Sequence, residues 1–324
     1  MSNDAGALPP ELAVPPAPNS SPQMSGGSSG LRKIFVGPNG IRAGWRLLIF
    51  LAVVAVLNVC LGLALRLLHV NRAPNAATLE PFQLFVLEGT IFLFACIATA
   101  IMARIEHRKL GEYGLPFRSG MGKHFWEGTV WGFLAISGTL LTIFALHGFH
   151  ITGLAIPGAV IPGAVVSWSI TFLMVGLSEE FAFRGYTQFT LTTGIGFWPS
   201  AVLFSALFAA AHLGNPGETK TGLLSVVWFG LLFCLILRRT GNLWWAVGFH
   251  AGWDWGQTFF YGVHDSGMAP YHNLLNSEFF GPNWLTGGSV GPEASVFTPI
   301  ALLVVAVLFS RRYPERKYQP LGSV

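Results

Sequence analysis

Two adjacent carboxylates lie within an apolar run that reads Phe172-Leu-Met-Val-Gly-Leu-Ser-Glu-Glu-Phe-Ala-Phe-Arg-Gly-Tyr186. A charged side chain at the centre of a bilayer costs about 2.5–3.5 kcal/mol on insertion scales. Such residues usually pair with one another, line a cavity or take part in chemistry. An ion pair at a helix end on the membrane surface is the simpler interpretation of this run alone, and the rest of the chain argues against it.

The composition indicates a protein that crosses a membrane several times. Of its 324 residues, 52% are apolar and only 10% are charged, whereas soluble domains carry about 25% charged residues. Long apolar runs predict an all-α bundle, because a helix satisfies its own backbone in lipid. The eight predicted spans are about Gly44–Leu68, Phe82–Ala103, Phe125–Leu146, Ala164–Phe183, Trp198–Leu213, Leu223–Leu237, Leu243–Tyr261 and Val296–Ser310.

The basic residues orient these spans, since Lys and Arg favour cytoplasmic segments. Of the 19 basic residues, all except Arg66, Arg72 and Lys220 fall on one set of alternating segments. The charge pattern therefore predicts a cytoplasmic membrane protein with both termini in the cytoplasm. Because the net charge of +4 is concentrated at the membrane borders, it does not indicate a nucleic-acid partner.

The chain divides into four predicted regions. Residues 1–40 form a disordered cytoplasmic tail, which is rich in Pro, Ser and Gly and has no signal-peptide core. Residues 41–150 hold the N-terminal spans, and residues 151–262 hold the helices with the polar clusters. Residues 263–324 form an outer loop, a last span and a basic tail. The three cysteines lie separately in apolar runs, so we predict neither a disulfide nor a cysteine metal site.

Polar residues recur on three of the predicted spans. Glu180 and Arg184 are four residues apart and can pair on one helix face. Glu179 points about 100° away, where a desolvated carboxylate can act as a base. His212 follows three alanines, and small residues let a neighbouring helix approach closely. His212 alone is equally compatible with an interfacial position.

His250 and Asp254 form a third pair with the same spacing. An aspartate that accepts from an imidazole fixes its tautomer, although a purely structural hydrogen bond is the alternative. Because three separate clusters would be costly in lipid, we expect them to share one cavity. Glu88 is an accessory polar contact at most. His264 and His272, which flank Asp265, could bind a metal, but we interpret them as solvated loop residues.

Several other catalytic classes are excluded by their missing motifs. The sequence contains no His-Glu-x-x-His zinc motif and no phosphate-binding glycine loop. It also lacks the Gly-x-Gly-Asp of aspartyl intramembrane proteases. A transporter would need a continuous polar path, and the outer halves of spans four and seven are too apolar for one.

Three motifs in the same order resemble those of a known family. They read Glu179-Glu180-x-x-x-Arg184, Phe208-x-x-x-His212 and His250-x-x-x-Asp254. They are similar to the motifs of the CPBP intramembrane proteases, also called the CAAX prenyl protease 2 or Abi family, over roughly residues 164–262. The resemblance implies an all-α membrane bundle that hydrolyses peptide bonds in a cavity between helices.

The resemblance also implies a role for each motif residue. Glu179 and His212 would hold and activate a water, and His250 with residue 254 would stabilise the oxyanion. Glu180 and Arg184 would support the site. Asn is commoner than Asp at position 254, and an ionised Asp cannot donate to an oxyanion. We therefore expect Asp254 to orient His250.

The sequence leaves the question of a metal open. Glu179, His212 and His250 could supply a zinc site with an open water position. The same residues could activate water without a metal. We favour the metal-free alternative because the three side chains come from separate helices rather than one templated motif.

The predicted function is an intramembrane endopeptidase that acts within the lipid bilayer on membrane-associated proteins or peptides. The alternative is a non-catalytic scaffold or bacteriocin-immunity protein on the same bundle. Helix rise places Glu179 and His212 roughly 12 Å apart in depth. They can meet only if span four starts near Ile170 and continues past Thr187. The sequence indicates neither the substrate nor an oligomeric state.

Overall fold

The computed structural model describes residues 34–37, 40–69 and 78–322. The predicted disordered tail therefore lies mostly outside the described residues. The rest is mainly helical, and the predicted all-α membrane bundle is confirmed. The helices are α1 Ala43–Leu67, α2 Pro81–Ile105, α3 Lys123–Ala145, α4 Ile161–Arg184, α5 Tyr186–Ile195, α6 Phe197–Ala211, α7 Lys220–Thr240, α8 Trp244–Asp254, α9 Asn283–Thr286 and α10 Phe297–Arg312.

Within the described ranges, six helical segments are long and apolar enough to cross a membrane. They are Ala43–Leu67, Pro81–Ile105, Lys123–Ala145, Ile161–Ile195, Phe197–Gly214 and Lys220–Thr240. The seventh and eighth predicted spans are also helical but shorter. One is α8 with its π-helical extension Trp255–Phe260, and the other is α10, which has 16 residues.

The fourth span differs from its prediction at one end. Its helix begins at Ile161, so the expected start near Ile170 is wrong. The extension past Thr187 is confirmed, because α5 continues the span to Ile195 after a break at Gly185. A side chain at position 185 would overlap the carbonyl oxygen of Phe181, which explains the glycine there. The helix is interrupted at Gly185, and both Gly185 and Tyr186 at the start of α5 remain buried.

Helices α3 and α8 pack backbone against backbone. A Cβ atom on any of four glycines would overlap a backbone carbonyl oxygen of the other helix, and these are Gly128, Gly132, Gly248 and Gly252. Small residues allow this close approach between membrane helices. The contact fixes the position of α8, which carries His250 and Asp254.

A buried polar network closes the end of the bundle where most basic residues lie. The Glu106 carboxylate accepts from the hydroxyls of Tyr113 at 3.0 Å and Tyr186 at 2.5 Å, and it pairs with Arg46 at 3.3 Å. These contacts join α1, α2 and α5. Phe189 packs against Tyr318 beside them, with ring centroids 4.9 Å apart. This end of the bundle is therefore filled with side chains.

A small strand pair, β1, Val36–Gly37, with β2, Gly40–Ile41, precedes α1 at the end where Arg46 lies. At the opposite end, strand β3, Phe149–Leu154, runs antiparallel to β4, Leu275–Phe279. The backbone amide of Leu79 also donates to Ala269 at 2.9 Å. The predicted outer loop after α8 is therefore folded onto the bundle.

Candidate active site

A cavity of about 540 Å³ lies among α2, α4, α6, α7 and α8. It contains four of the six predicted site residues, namely Glu179, His212, His250 and Asp254. Glu180 and Arg184 lie behind its wall and are fully buried. The expectation that the three polar spans share one cavity is therefore met.

The imidazole of His250 lies among three carboxylates. Its Nδ1 is 3.0 Å from Oε1 of Glu180, and its Nε2 is 3.6 Å from Glu179 and 3.5 Å from Asp254. Because a carboxylate only accepts, Nδ1 must donate its hydrogen to Glu180. Glu180 thus makes the shorter contact with the ring, while Nε2 is directed between Glu179 and Asp254.

Glu180 also pairs with Arg184 as the spacing predicts. The two charged groups are 3.3 Å apart, and both side chains are 0% exposed. The guanidinium lies over the ring of Phe208, 4.3 Å from its centroid. A buried pair of this kind needs several compensating contacts, and the aromatic ring supplies one of them.

His212 lies at the end of α6, and both His212 and His250 are close to the ring of Phe208. The Phe208 ring meets His212 edge-on at 4.7 Å and His250 at 6.5 Å. Nδ1 of His212 is 2.8 Å from the carbonyl oxygen of Phe208. Since a carbonyl only accepts, Nδ1 carries the hydrogen and Nε2 of a neutral ring is free to accept.

Two further acidic residues were missed by the sequence analysis. Asp265 and Glu293 come from the loop between α8 and α10, line the cavity and have oxygen atoms within 4.8 Å of one another and of Asp254. Asp265 accepts from Thr258 at 2.7 Å, and Glu293 accepts from the Ser266 amide at 3.1 Å. The absence of Lys and Arg from residues 262–295 was the available signal, because it leaves these carboxylates without a local counter-charge.

Burial affects the ionisation of both loop residues. It raises the pKa of Asp265 and the pKa of Glu293, and the neighbouring Asp265 carboxylate raises the latter further. Both groups therefore hold a proton to a higher pH than an exposed carboxyl group does. The flanking His264 and His272 are exposed, as the sequence predicts.

Glu88 lies on α2 and lines the same cavity. It accepts a hydrogen bond from the hydroxyl of Ser178 on α4. This contact agrees with the accessory polar role that the sequence predicts. It also joins α2 to the turn of α4 that carries Glu179.

The ligand atoms that the zinc alternative requires are not gathered at one point. Among the residues that the structure describes, Asp254, Asp265 and Glu293 form a group whose potential ligand atoms lie within 4.8 Å of one another. Glu179, His212 and His250 do not form such a group, and Nδ1 of His250 is already bonded to Glu180. These three side chains would have to move to hold one ion.

Comparison with known proteins supports the resemblance. Residues 161–256 match the family model for type II CAAX prenyl endopeptidase, Rce1-like. This match confirms the predicted relation of that segment to the CPBP and CAAX proteases. The matched segment covers less than a third of the 324 residues. None of the curated proteins with which the sequence was compared matches it.

The match supports a multi-pass membrane hydrolase of the protease class, with endopeptidase activity of the CAAX type in general. It includes all six predicted site residues. Asp265 and Glu293 lie beyond its end at residue 256. The two loop carboxylates therefore lie outside the matched segment.

Proposed function

We propose that this protein is an intramembrane endopeptidase in which Glu179 activates a water that attacks a peptide bond. The observation that carries the proposal is the single cavity shared by Glu179, His212, His250 and Asp254. The substrate is a membrane-associated protein or peptide. The proposed site needs no metal, because carboxylate and imidazole groups can themselves move the proton.

Each side chain has a proposed task in this reaction. Glu179 takes a proton from the water and later delivers it to the leaving amine. Glu180 holds Nδ1 of His250, which is 3.0 Å away. When His250 carries both ring hydrogens, its Nε2–H is available to the developing oxyanion. His212 accepts a hydrogen bond from the water through Nε2, and Arg184 balances the charge of Glu180.

Glu179→Gln tests the proposal, since it keeps the shape of the side chain and removes the base. We expect at least a 100-fold loss of cleavage, because a general base contributes about 10²–10⁴-fold. The measurement compares the N-termini that cleavage newly generates on membrane proteins. It uses membranes of cells that express the wild type, Glu179→Gln or Glu278→Gln. The last is a matched control, since Glu278 is exposed on β4.

The rival functions give different results in the same experiment. A non-catalytic scaffold or immunity protein would keep its phenotype in Glu179→Gln and would generate no new termini in the wild type. Cleavage that a chelator abolishes and zinc restores would overturn the metal-free mechanism. It would leave the protease proposal itself intact.

Asp254 provides a separate test of how His250 is held. Its Oδ2 is 3.5 Å from Nε2 of His250. We expect Asp254→Asn to keep cleavage within about tenfold of the wild type and Asp254→Ala to lose it, because only the amide retains an acceptor near the ring. Rates of both variants on one identified substrate provide the measurement. An active Ala variant would refute the proposed orienting role.

The charge pattern supports a proposed location as well. All basic residues except Arg66, Arg72 and Lys220 belong to one set of alternating segments. By the positive-inside rule these segments face the cytoplasm. We therefore place the protein in a cytoplasmic membrane with both termini inside.

A further inference from the structure

The loop residues that line the cavity all come from one end of the bundle. Leu79 precedes α2, Asn215 follows α6, Asp265 follows α8 and Glu293 precedes α10. Successive membrane spans alternate in direction, so these four positions lie on the same side of the membrane. The loops are also bonded to one another, for example through the Leu79 amide and the Ala269 carbonyl oxygen at 2.9 Å. The cavity therefore extends to this end of the bundle, which we call the open end.

The other end offers no comparable opening within the described part of the chain. The Glu106 network and the aromatic rings around Tyr186 and Tyr318 fill it, and Tyr186 and Glu106 are 0% and 4% exposed. Arg184, one turn beyond Glu180 in that direction, is 0% exposed. A peptide that approached from this end would have to displace the packed core.

Charge distinguishes the two ends. The closed end carries basic residues after α2 and in the last turns of α7 and α10, which include Arg108, Arg239 and Arg311. The open end holds the loop 262–295, which has no Lys or Arg. By the positive-inside rule, the open end faces away from the cytoplasm.

One wall of the cavity also opens towards lipid. Leu87 and Ile91 on α2 line the cavity, yet they are 57% and 40% exposed on the outside of the bundle. Exposed apolar side chains at this depth face acyl chains rather than water. A substrate can therefore keep an apolar segment in the bilayer while an adjoining segment enters the cavity.

We propose that this site takes its substrate from the extracytoplasmic side, as the outer juxtamembrane segment of a membrane-anchored polypeptide. The cleavage step rests on the proposed function, whereas the direction of access rests on the cavity and the charge pattern alone. A segment on the cytoplasmic side would not reach Glu179 without crossing the filled end of the bundle.

The direction of access can be tested by labelling single introduced cysteines with a membrane-impermeant maleimide. Pro216→Cys lies in the exposed loop at the open end, Asn215→Cys lines the cavity, and Ser119→Cys is an exposed control at the closed end. The unsubstituted chain gives the background, since its three cysteines lie in membrane helices. Intact and permeabilised cells are compared.

We expect Pro216→Cys and Asn215→Cys to react in intact cells, and Ser119→Cys to react at least tenfold more after permeabilisation. The reverse pattern would overturn the proposed direction. If Pro216→Cys reacts in intact cells and Asn215→Cys reacts in neither preparation, the open cavity is contradicted.

The substrate part of the proposal has its own measurement. The new termini that depend on Glu179 should map to outer segments within a few residues of a membrane span. Termini that map to cytoplasmic segments would contradict the outer substrate while supporting proteolysis. If no termini depend on Glu179, the proposed function fails, and the labelling result still decides the direction of access.

Discussion

Gly132→Ala is expected to lower both the stability and the activity of the protein strongly. The added methyl group would overlap the backbone carbonyl oxygen of Phe249, and no side-chain rotation can relieve that contact. Helix α8 would have to move away from α3. Overpacking of this kind costs about 1–3 kcal/mol and occasionally more. The movement carries His250 with it, and a displacement of 1 Å at a site can cost about 100-fold in rate.

Gly138→Ala is the matched control for this effect. Gly138 lies on the same helix, and a Cβ atom there would meet nothing within 4 Å. An exposed Gly→Ala change in a helix stabilises it by up to about 1 kcal/mol. The thermal midpoint in detergent and the cleavage rate are measured for both variants. Equal behaviour of Gly132→Ala and Gly138→Ala would contradict the close contact of α3 and α8.

The sequence predicted the spans well because each one depends on a local property. Eight apolar runs correspond to helical segments within a few residues, since a chain in lipid must bond its own backbone. The pairing of Glu180 with Arg184 was equally predictable, because the spacing of four residues places both on one face. These inferences needed no knowledge of how the helices pack.

What the sequence did not predict depends on contacts between distant segments. Asp265 and Glu293 reach the site only because a long loop folds back over the bundle and pairs through β4 with β3. The start of α4 at Ile161 was misjudged because a simple depth argument assumed straight helices perpendicular to the membrane. The break at Gly185 and the separation of α6 from α5 adjust the relative depths of Glu179 and His212 instead.

The site also differs from the sequence expectation in how His250 is held. The spacing suggested that Asp254 orients the ring, and Asp254 is indeed 3.5 Å from Nε2. The shorter contact comes from Glu180, which is 70 residues away in sequence. Only the packing of α4 against α8 brings these side chains together. The residue expected to support the site thus contacts the histidine directly.

Arg184→Met is expected to be the most destabilising substitution at the site. It removes the guanidinium that lies 3.3 Å from the Glu180 carboxylate and leaves that buried carboxylate without a cation on its own helix. Breaking a buried ion pair by removing one partner costs about 3–5 kcal/mol. Glu180 would then be a poorer partner for His250, so we expect cleavage to be lost as well. Unfolding in detergent and cleavage of one identified substrate provide the measurements.

Two further variants separate charge from packing in this result. Glu180→Gln combined with Arg184→Met should recover most of the lost stability, because neither position then holds an unpaired buried charge. Cleavage should stay low, since an amide binds His250 more weakly than a carboxylate does. Arg312→Met breaks the exposed pair with Glu127 at 3.8 Å, and Glu127 keeps its bond from Tyr313. An exposed pair contributes about 0–1 kcal/mol, so a similar cost for Arg184→Met and Arg312→Met would contradict the importance of the buried pair. Full activity of the double variant would show that His250 does not depend on a charged residue at position 180.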